Sequence, residues 1–252
     1  MEQKKAMVTG ASEGIGREFC IQLAKEGYQI TAVARNESRL KELIQDLAGT
    51  SVHSILVADL TNPLNVTKIA AELNSNHYDL LINNAGFGVY GKFHEVPLTK
   101  LQEMSRLNCD ALVHLSHAYL SAAKKGDALV NVASTLAFLP LPGAALYAAT
   151  KAFVTSLSES LWFEQKGRGV FVMDLCPGAT STLFHERSGG NAITKPPAAI
   201  TQTAEVVVKA AIKALHRRKT PTFISGSTNL ALASFTRLLP RKSVVKMMGS
   251  IR

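Results

Sequence analysis

This chain of 252 residues lacks paired cysteines, long apolar runs and aromatic-rich basic stretches, and each lack removes a class of answer. Its three cysteines, Cys20, Cys109 and Cys176, lie far apart and form no CxxC pair. An odd, dispersed set argues against a disulfide framework or a zinc site, so no metal is expected and the compartment reads as reducing and cytoplasmic. No apolar run reaches the roughly 18–20 residues that span a bilayer, so no integral membrane segment is expected. The opening, Met-Glu-Gln-Lys-Lys-Ala-Met-Val-Thr-Gly, goes straight into structure without the charged, apolar and cleavage regions of a secretory signal. The net charge of +9 invites a nucleic-acid reading. Most cations are scattered, however, and neither His216-Arg217-Arg218-Lys219 nor the basic tail to Arg252 is interleaved with stacking aromatics. No nucleic-acid partner is expected, and the balance suits anionic cofactors.

What is present is alternation. With 46% hydrophobic and 19% charged residues the chain is globular, and its length suits one large domain over 1–252. Short apolar or β-branched runs occur at 5–9, 29–34, 52–57, 80–83, 128–132, 169–175 and 222–224. Helical periodicity occupies 15–26, 38–47, 63–74, 99–123, 146–165 and 204–216. Seven strands separated by helices predict an α/β fold: a doubly wound, parallel, Rossmann-type sheet with helices on both faces. The helices at 99–123 and 146–165 are apolar over more than the stripe a sheet requires. A second subunit on their outer face, giving a homodimer or homotetramer, is the economical reading.

Residues 8–16 read V-T-G-A-S-E-G-I-G, between the first strand and the first helix. Gly10 permits a tight exit, Gly14 lets amides approach an anion, and Gly16 lets the helix pack closely. The helix start at Ile15 then offers free N–H groups and a positive dipole end to a pyrophosphate. The second strand ends Ala34-Arg35, where an NAD-selective site normally has a carboxylate for the ribose hydroxyl. A guanidinium there suits a 2′-phosphate, so NADP(H) is favoured over NAD(H). Glu13 pulls the other way, and Arg39 either assists or is solvated surface. Asp59, after the third strand, either caps the next segment or reaches an adenine edge. Asn83-Asn84-Ala85-Gly86 ends the fourth strand, where such folds bind ligands.

Ser134 ends the fifth strand, and Tyr147 and Lys151 follow one helical turn apart. A nearby ammonium is expected to lower the phenol from its usual value of about 10, making Tyr147 an acid usable near neutrality. Together these motifs resemble the classical short-chain dehydrogenase/reductase family, from about residue 7 to 183. The carriers are T-G-A-S-E-G-I-G at 9–16, Asp59-Leu60, N-N-A-G at 83–86, Asn108, Ser134, Tyr147-x-x-x-Lys151 and P-G-A-T-S-T at 177–182. The resemblance implies a hydride transfer between a nicotinamide and a carbonyl or secondary alcohol. It implies that Tyr147 moves the proton, Ser134 orients the oxygen, Lys151 holds the ribose and Asn108 holds a water through a locally bent helix. The implied cofactor contacts are Gly10, Ser12, Glu13, Gly14, Ile15, Gly16, Arg35, Asp59, Leu60, Asn84, Ala85, Gly86, Tyr147, Lys151, Pro177, Gly178, Thr180 and Thr182.

Substrate choice is expected in the apolar stretch between Ser134 and Tyr147, which points to an apolar ketone or acyl substrate, and in the segment over about 183–202, which reads either as a lid or as an ordinary variable loop. The extension over about 226–252 loosely resembles the tails of reductases related to 3-ketoacyl and 17β-hydroxysteroid reductases. Its roles rank as subunit interface, then pocket wall, then membrane contact. An NAD-dependent alcohol dehydrogenase and a non-catalytic NADP(H) sensor or scaffold stay open as alternatives.

Overall fold

In a computed structural model describing residues 3–47, 49, 51–189 and 201–250, apolar runs and helical segments alternate as the sequence predicts. The strands are β1 (Lys5–Thr9), β2 (Gln29–Ala34), β3 (Ser54–Val57), β4 (Leu80–Asn83), β5 (Ala128–Val132) and β6 (Phe171–Cys176). Two short strands follow, β7 (Thr180–Ser181) and β8 (Gln202–Thr203), then β9 (Thr222–Ile224). One seven-stranded sheet runs β3-β2-β1-β4-β5-β6-β9, with every pairing parallel. The order reverses between β1 and β4, which opens a crevice at the carboxyl ends of the strands.

Burial on both faces explains the continuous apolar runs. Along β1, Ala6 and Val8 join one core while Met7 joins the other. The first core takes α1 (Gly14–Lys25), α2 (Glu37–Asp46) and α8 (Ala204–Arg217) through Phe19, Leu40 and Val207. The second takes α3 (Pro63–Ser75) and α5 (Leu112–Ala122) through Ile69 and Leu115. Local signals set the helix starts. Asn36 and Asn62 accept from the amides of Arg39 and Leu64 at 3.0 and 2.9 Å, and Pro63 begins α3.

The expected continuous helix over 99–123 is instead three segments. α4 (Leu98–Ser105) passes into a π-helical stretch, Arg106–Ala111, before α5. The bend falls at Asn108, whose side chain is drawn into backbone bonds with another loop. α6 (Ala145–Gln165) matches its expected span within a residue, and the strand expected at 169–175 begins at Phe171, because Gly169 at φ 70° closes the preceding turn. The short α7 (Phe184–Arg187) and the C-terminal α9 (Ser227–Thr236) and α10 (Arg241–Ser250) were not foreseen. Of the expected lid over 183–202, residues 190–200 lie outside the described residues.

Candidate active site

The strands end on one side of the molecule, and the candidate residues sit at those ends. Gly10 has φ +66°, and a Cβ there would lie 2.7 Å from Asn84 Nδ2. At Gly16 a Cβ would fall 2.3 Å from the Gly10 carbonyl oxygen, so the turn closes only with hydrogen at that position. Gly14 has φ +54° and faces Thr182, whose Cγ2 lies 3.1 Å from an added Cβ. The side chain of Glu13 does not cap α1, which leaves the first amides of that helix open to an anion. Ser12 and Ile15 complete the turn, Ile15 resting on the core. This cradle, too tight for side chains and ending at a helix N-terminus, fits the pyrophosphate of a dinucleotide.

Threonine and asparagine hold the cradle together. Thr9 Oγ1 accepts from the Asn84 and Ala85 amides at 3.0 Å each, and Asn84 Nδ2 donates back to Thr9 O at 3.0 Å. Asn83 donates to Ser116 of α5 and Asn131 of β5, which ties β4 to its neighbours. Around the rim, Asp59 Oδ1 accepts from the Thr61 amide and hydroxyl, which is its capping role, while Oδ2 lies 3.9 Å from Arg35. Leu60 is buried beside it. The Arg35 side chain is 69% exposed, and Ala34 precedes it with no carboxylate. Arg39 is not idle surface: it pairs with Glu13 at 2.5 Å and offsets the acid that weighed against a phosphate.

Ser134, Tyr147 and Lys151 are all buried at the ends of β5 and α6. Ser134 accepts from the Leu136 amide at 3.1 Å, which leaves its own proton free to donate. Lys151 Nζ donates to Val132 O at 2.7 Å and sits 5.8 Å from the Tyr147 ring centre. Asn108 accepts from Phe87 N at 3.1 Å and donates to Phe87 O and Thr150 Oγ1 at 3.0 and 3.1 Å. It thereby clamps the loop after Gly86 to α6, and Gly86 is small enough to lie against it. Pro177 O accepts from the Thr135 amide, which links the turn after β6 to the Ser134 loop. Thr180 closes back on Gly178 O at 3.0 Å, and Thr182 accepts from Phe184 N at 3.3 Å.

One expectation is corrected. The Tyr147 phenol is raised, not lowered: burial dominates, Tyr90 adds to it, and the Ser134 hydroxyl opposes it. Lys151 does not offset that burial, because it is itself desolvated, lowered to about 8 and turned to the Val132 carbonyl.

Further contributors have no role assigned to them from the sequence. Thr9 stands in the glycine motif without a role of its own, and Thr150 looks like an ordinary polar residue until Asn108 reaches it. Phe184 packs against Tyr147 as a tilted ring pair with centres 5.4 Å apart, and Tyr90 N donates to Ser188 O at 2.8 Å. Apolar groups close in around Tyr147, among them Met104, Phe87, Tyr90, Leu136, Leu141 and Phe184. Among the described residues no His, Cys, Asp or Glu cluster could hold a metal, and no helix is long and apolar enough to cross a membrane.

Known proteins resemble this chain in sequence and fold. The family model for short chain dehydrogenase matches residues 4–191. A 7beta-hydroxysteroid dehydrogenase of Mediterraneibacter gnavus is 31% identical over 89% of this chain and 87% of its own length. The very-long-chain 3-oxoacyl-CoA reductase of Rattus norvegicus is 30% identical over 98% of this chain and 80% of its own. A short-chain dehydrogenase from Sphingobium yanoikuyae, solved in complex with NADPH, superposes with a TM-score of 0.82 at 28% identity, over 94% of this chain and 97% of that one. With a dinucleotide cradle at the switch point and a family match across most of its length, this chain belongs to the short-chain dehydrogenase family of oxidoreductases.

Proposed function

We propose that this enzyme, acting as one dinucleotide-binding domain, moves a hydride between NADP(H) and an apolar ketone or acyl carbonyl and its secondary alcohol. The observation that carries the reading is the convergence of the Ser134 hydroxyl, the Tyr147 phenol and the Lys151 ammonium, each no more than 8% exposed, at the strand ends. When bound, the nicotinamide supplies or accepts the hydride at its C4.

In the reductive direction Tyr147 hands its proton to the substrate oxygen. A phenol raised by burial keeps that proton near neutrality, so the acid form is the one present. Ser134 donates to the same oxygen and stabilises its developing charge. Lys151 holds the ribose hydroxyls, and with its ammonium lowered to about 8 it exchanges protons more readily than an ordinary lysine. Asn108 fixes the loop after Gly86 against α6 and so sets the distance between the two walls. Gly10, Ser12, Gly14, Ile15 and Gly16 hold the pyrophosphate, Asn84, Ala85 and Gly86 the adenosine side, and Pro177, Gly178, Thr180 and Thr182 the nicotinamide side.

Preference for NADP(H) is supported by the exposed Arg35 guanidinium, the absence of a carboxylate at Ala34 and the pairing of Glu13 with Arg39. The NADPH complex of the Sphingobium relative agrees with it. An apolar substrate is supported by the side chains around Tyr147 and by two relatives named for a steroid and a long-chain acyl thioester. Assembly as a homodimer or homotetramer is supported by Val113, Phe153 and Phe163, exposed on the outer faces of α5 and α6.

Fluorescence titration with NADPH and NADH tests the cofactor. Tight NADPH binding that weakens about tenfold or more in Arg35→Ala, with NADH unchanged, is expected. Loss of both or neither in that variant overturns the assignment. A carbonyl screen following NADPH oxidation, with Tyr147→Phe as its blank, then tests the reaction.

A further inference from the structure

The charge of this protein is segregated along the chain. Ten lysines and arginines and no aspartate or glutamate follow Glu205, against a net charge of +9 for the whole, so residues 1–205 carry a net charge of −1. Four of the ten, Arg237, Arg241, Lys242 and Lys246, are exposed on or beside α9 and α10.

The same C-terminal segment leaves apolar side chains uncovered. α9 turns Asn229, Ala233 and Thr236 inward, while Leu230, Phe235 and Leu238 are 51%, 55% and 83% exposed. α10 buries Val244 and Met248 against Leu136, Leu139 and Leu141, which presents its cations to solvent. The segment is therefore seated on the body, with Arg237 lying over the Phe138 ring at 5.0 Å, while the exposed Phe235 and Leu238 at the end of α9 directly precede the exposed Arg241, Lys242 and Lys246 of α10. It also borders the cleft. Asn229 packs so closely on Gly178 that a Cβ there would lie 2.2 Å from Nδ2, and the loop after Ser134 lies beneath α10.

We propose that the α9–α10 segment is a docking surface for an anionic lipid bilayer, with Phe235 and Leu238 entering the headgroup boundary and Arg241, Lys242 and Lys246 meeting lipid phosphates and carboxylates. Exposed apolar side chains beside a run of cations, in helices far too short to span a bilayer, favour the interface plane and not a crossing. Anionic headgroups attract each such cation, with an effect confined to about a Debye length. A second copy fits less well, since a symmetric contact of this segment would bring its four cations to the same four, and the segment itself holds no acid. Nucleic acid offers nothing to the exposed leucines. The consequence for catalysis rests on the reductase reading: an apolar substrate dissolved in the bilayer would meet the cleft rim directly.

Co-sedimentation of the full chain with vesicles tests this without any turnover. Binding to vesicles of phosphatidylcholine with about one-third phosphatidylserine is expected, falling on phosphatidylcholine alone and at high salt. Lys242→Gln with Lys246→Gln should weaken binding to the anionic vesicles about 25-fold, at about fivefold per cation. Phe235→Ser with Leu238→Ser should weaken binding to both vesicle types, with thermal melting unchanged in either variant. Absence of sedimentation, or binding indifferent to both pairs of changes, overturns the proposal. So does a change in oligomeric size in Phe235→Ser with Leu238→Ser without vesicle binding, which would make the face a subunit contact. Equal affinity for single-stranded DNA, lost with the lysines alone, would also overturn it. A failed carbonyl screen leaves vesicle binding untouched, so the two readings fail separately.

Discussion

Asp174 sits in the middle of β6, fully buried, with no cation among its bonded partners. Its carboxyl meets Thr155 Oγ1 of α6 at 3.0 Å, Cys176 Sγ at 3.0 Å and Thr222 Oγ1 of β9 at 2.8 Å. The Thr222 hydroxyl also lies 2.7 Å from Glu159 Oε1 on α6, and one hydroxyl proton serves only one of the two carboxylates. The other needs a proton of its own, and the deeper group is Asp174. Burial raises it from 3.8 to about 6, against the hydrogen bonds of Cys176, Thr222 and Thr155, and Glu159 adds to the rise. Because the folded value lies above the unfolded one, the proton stabilises the folded chain fully below about pH 4, and that contribution is lost as pH rises through about 6. The rise corresponds to roughly 3 kcal/mol, to order of magnitude. Asp174→Asn keeps the shape and supplies an N–H where the protonated acid supplies an O–H. Urea unfolding of both proteins from pH 4 to 8 should then show the variant gaining on the wild type by about 2–3 kcal/mol, most of it between pH 4 and 7. Parallel stability curves would refute the buried-proton reasoning. The residue matters to the site because it links Thr155, one turn beyond Lys151, to the strand that leads into Pro177.

Other changes should act more locally. Gly16→Ala forces a Cβ to within 2.3 Å of Gly10 O, so NADPH affinity should fall at least about tenfold by titration, with about 1–3 kcal/mol of stability lost in melting. Tyr147→Phe should lower kcat by about 10²–10⁴-fold in single-turnover reduction while leaving the NADPH Kd within about twofold. Phe153→Glu with Phe163→Glu, on side chains 43% and 72% exposed, should shift the native mass by light scattering to that of a monomer. An unchanged mass would remove the helix faces as the assembly surface.

The motifs that name the family are local, and so they were readable. A glycine loop between strand and helix, N-N-A-G after a strand and Tyr-x-x-x-Lys on a helix each depend on spacing within a few residues. The walls of the site are not local. The π-helical turn at Arg106–Ala111 follows from Asn108 reaching the Phe87 backbone, 21 residues away in the chain, and its apolar periodicity alone reads as one continuous helix. α9 was not readable as a helix because only Ala233 and Thr236 of it are fully buried, which leaves no core stripe to detect. The Lys151 effect on Tyr147 failed for a related reason: helical spacing sets proximity, but burial and the Val132 carbonyl set the charge balance.

By itself, then, the order of residues determined the alternation of strands and helices, the parallel sheet and the chemistry-bearing positions, because hydrophobic period and turn geometry act over a few residues. Only the tertiary structure decided that Arg39 pairs with Glu13, that Phe184 packs on Tyr147, that Asp174 is sealed between α6 and β9, and that a basic tail presents its leucines outward beside the cleft. Those features come from desolvation and from contacts between distant segments, and neither exists until the chain has packed.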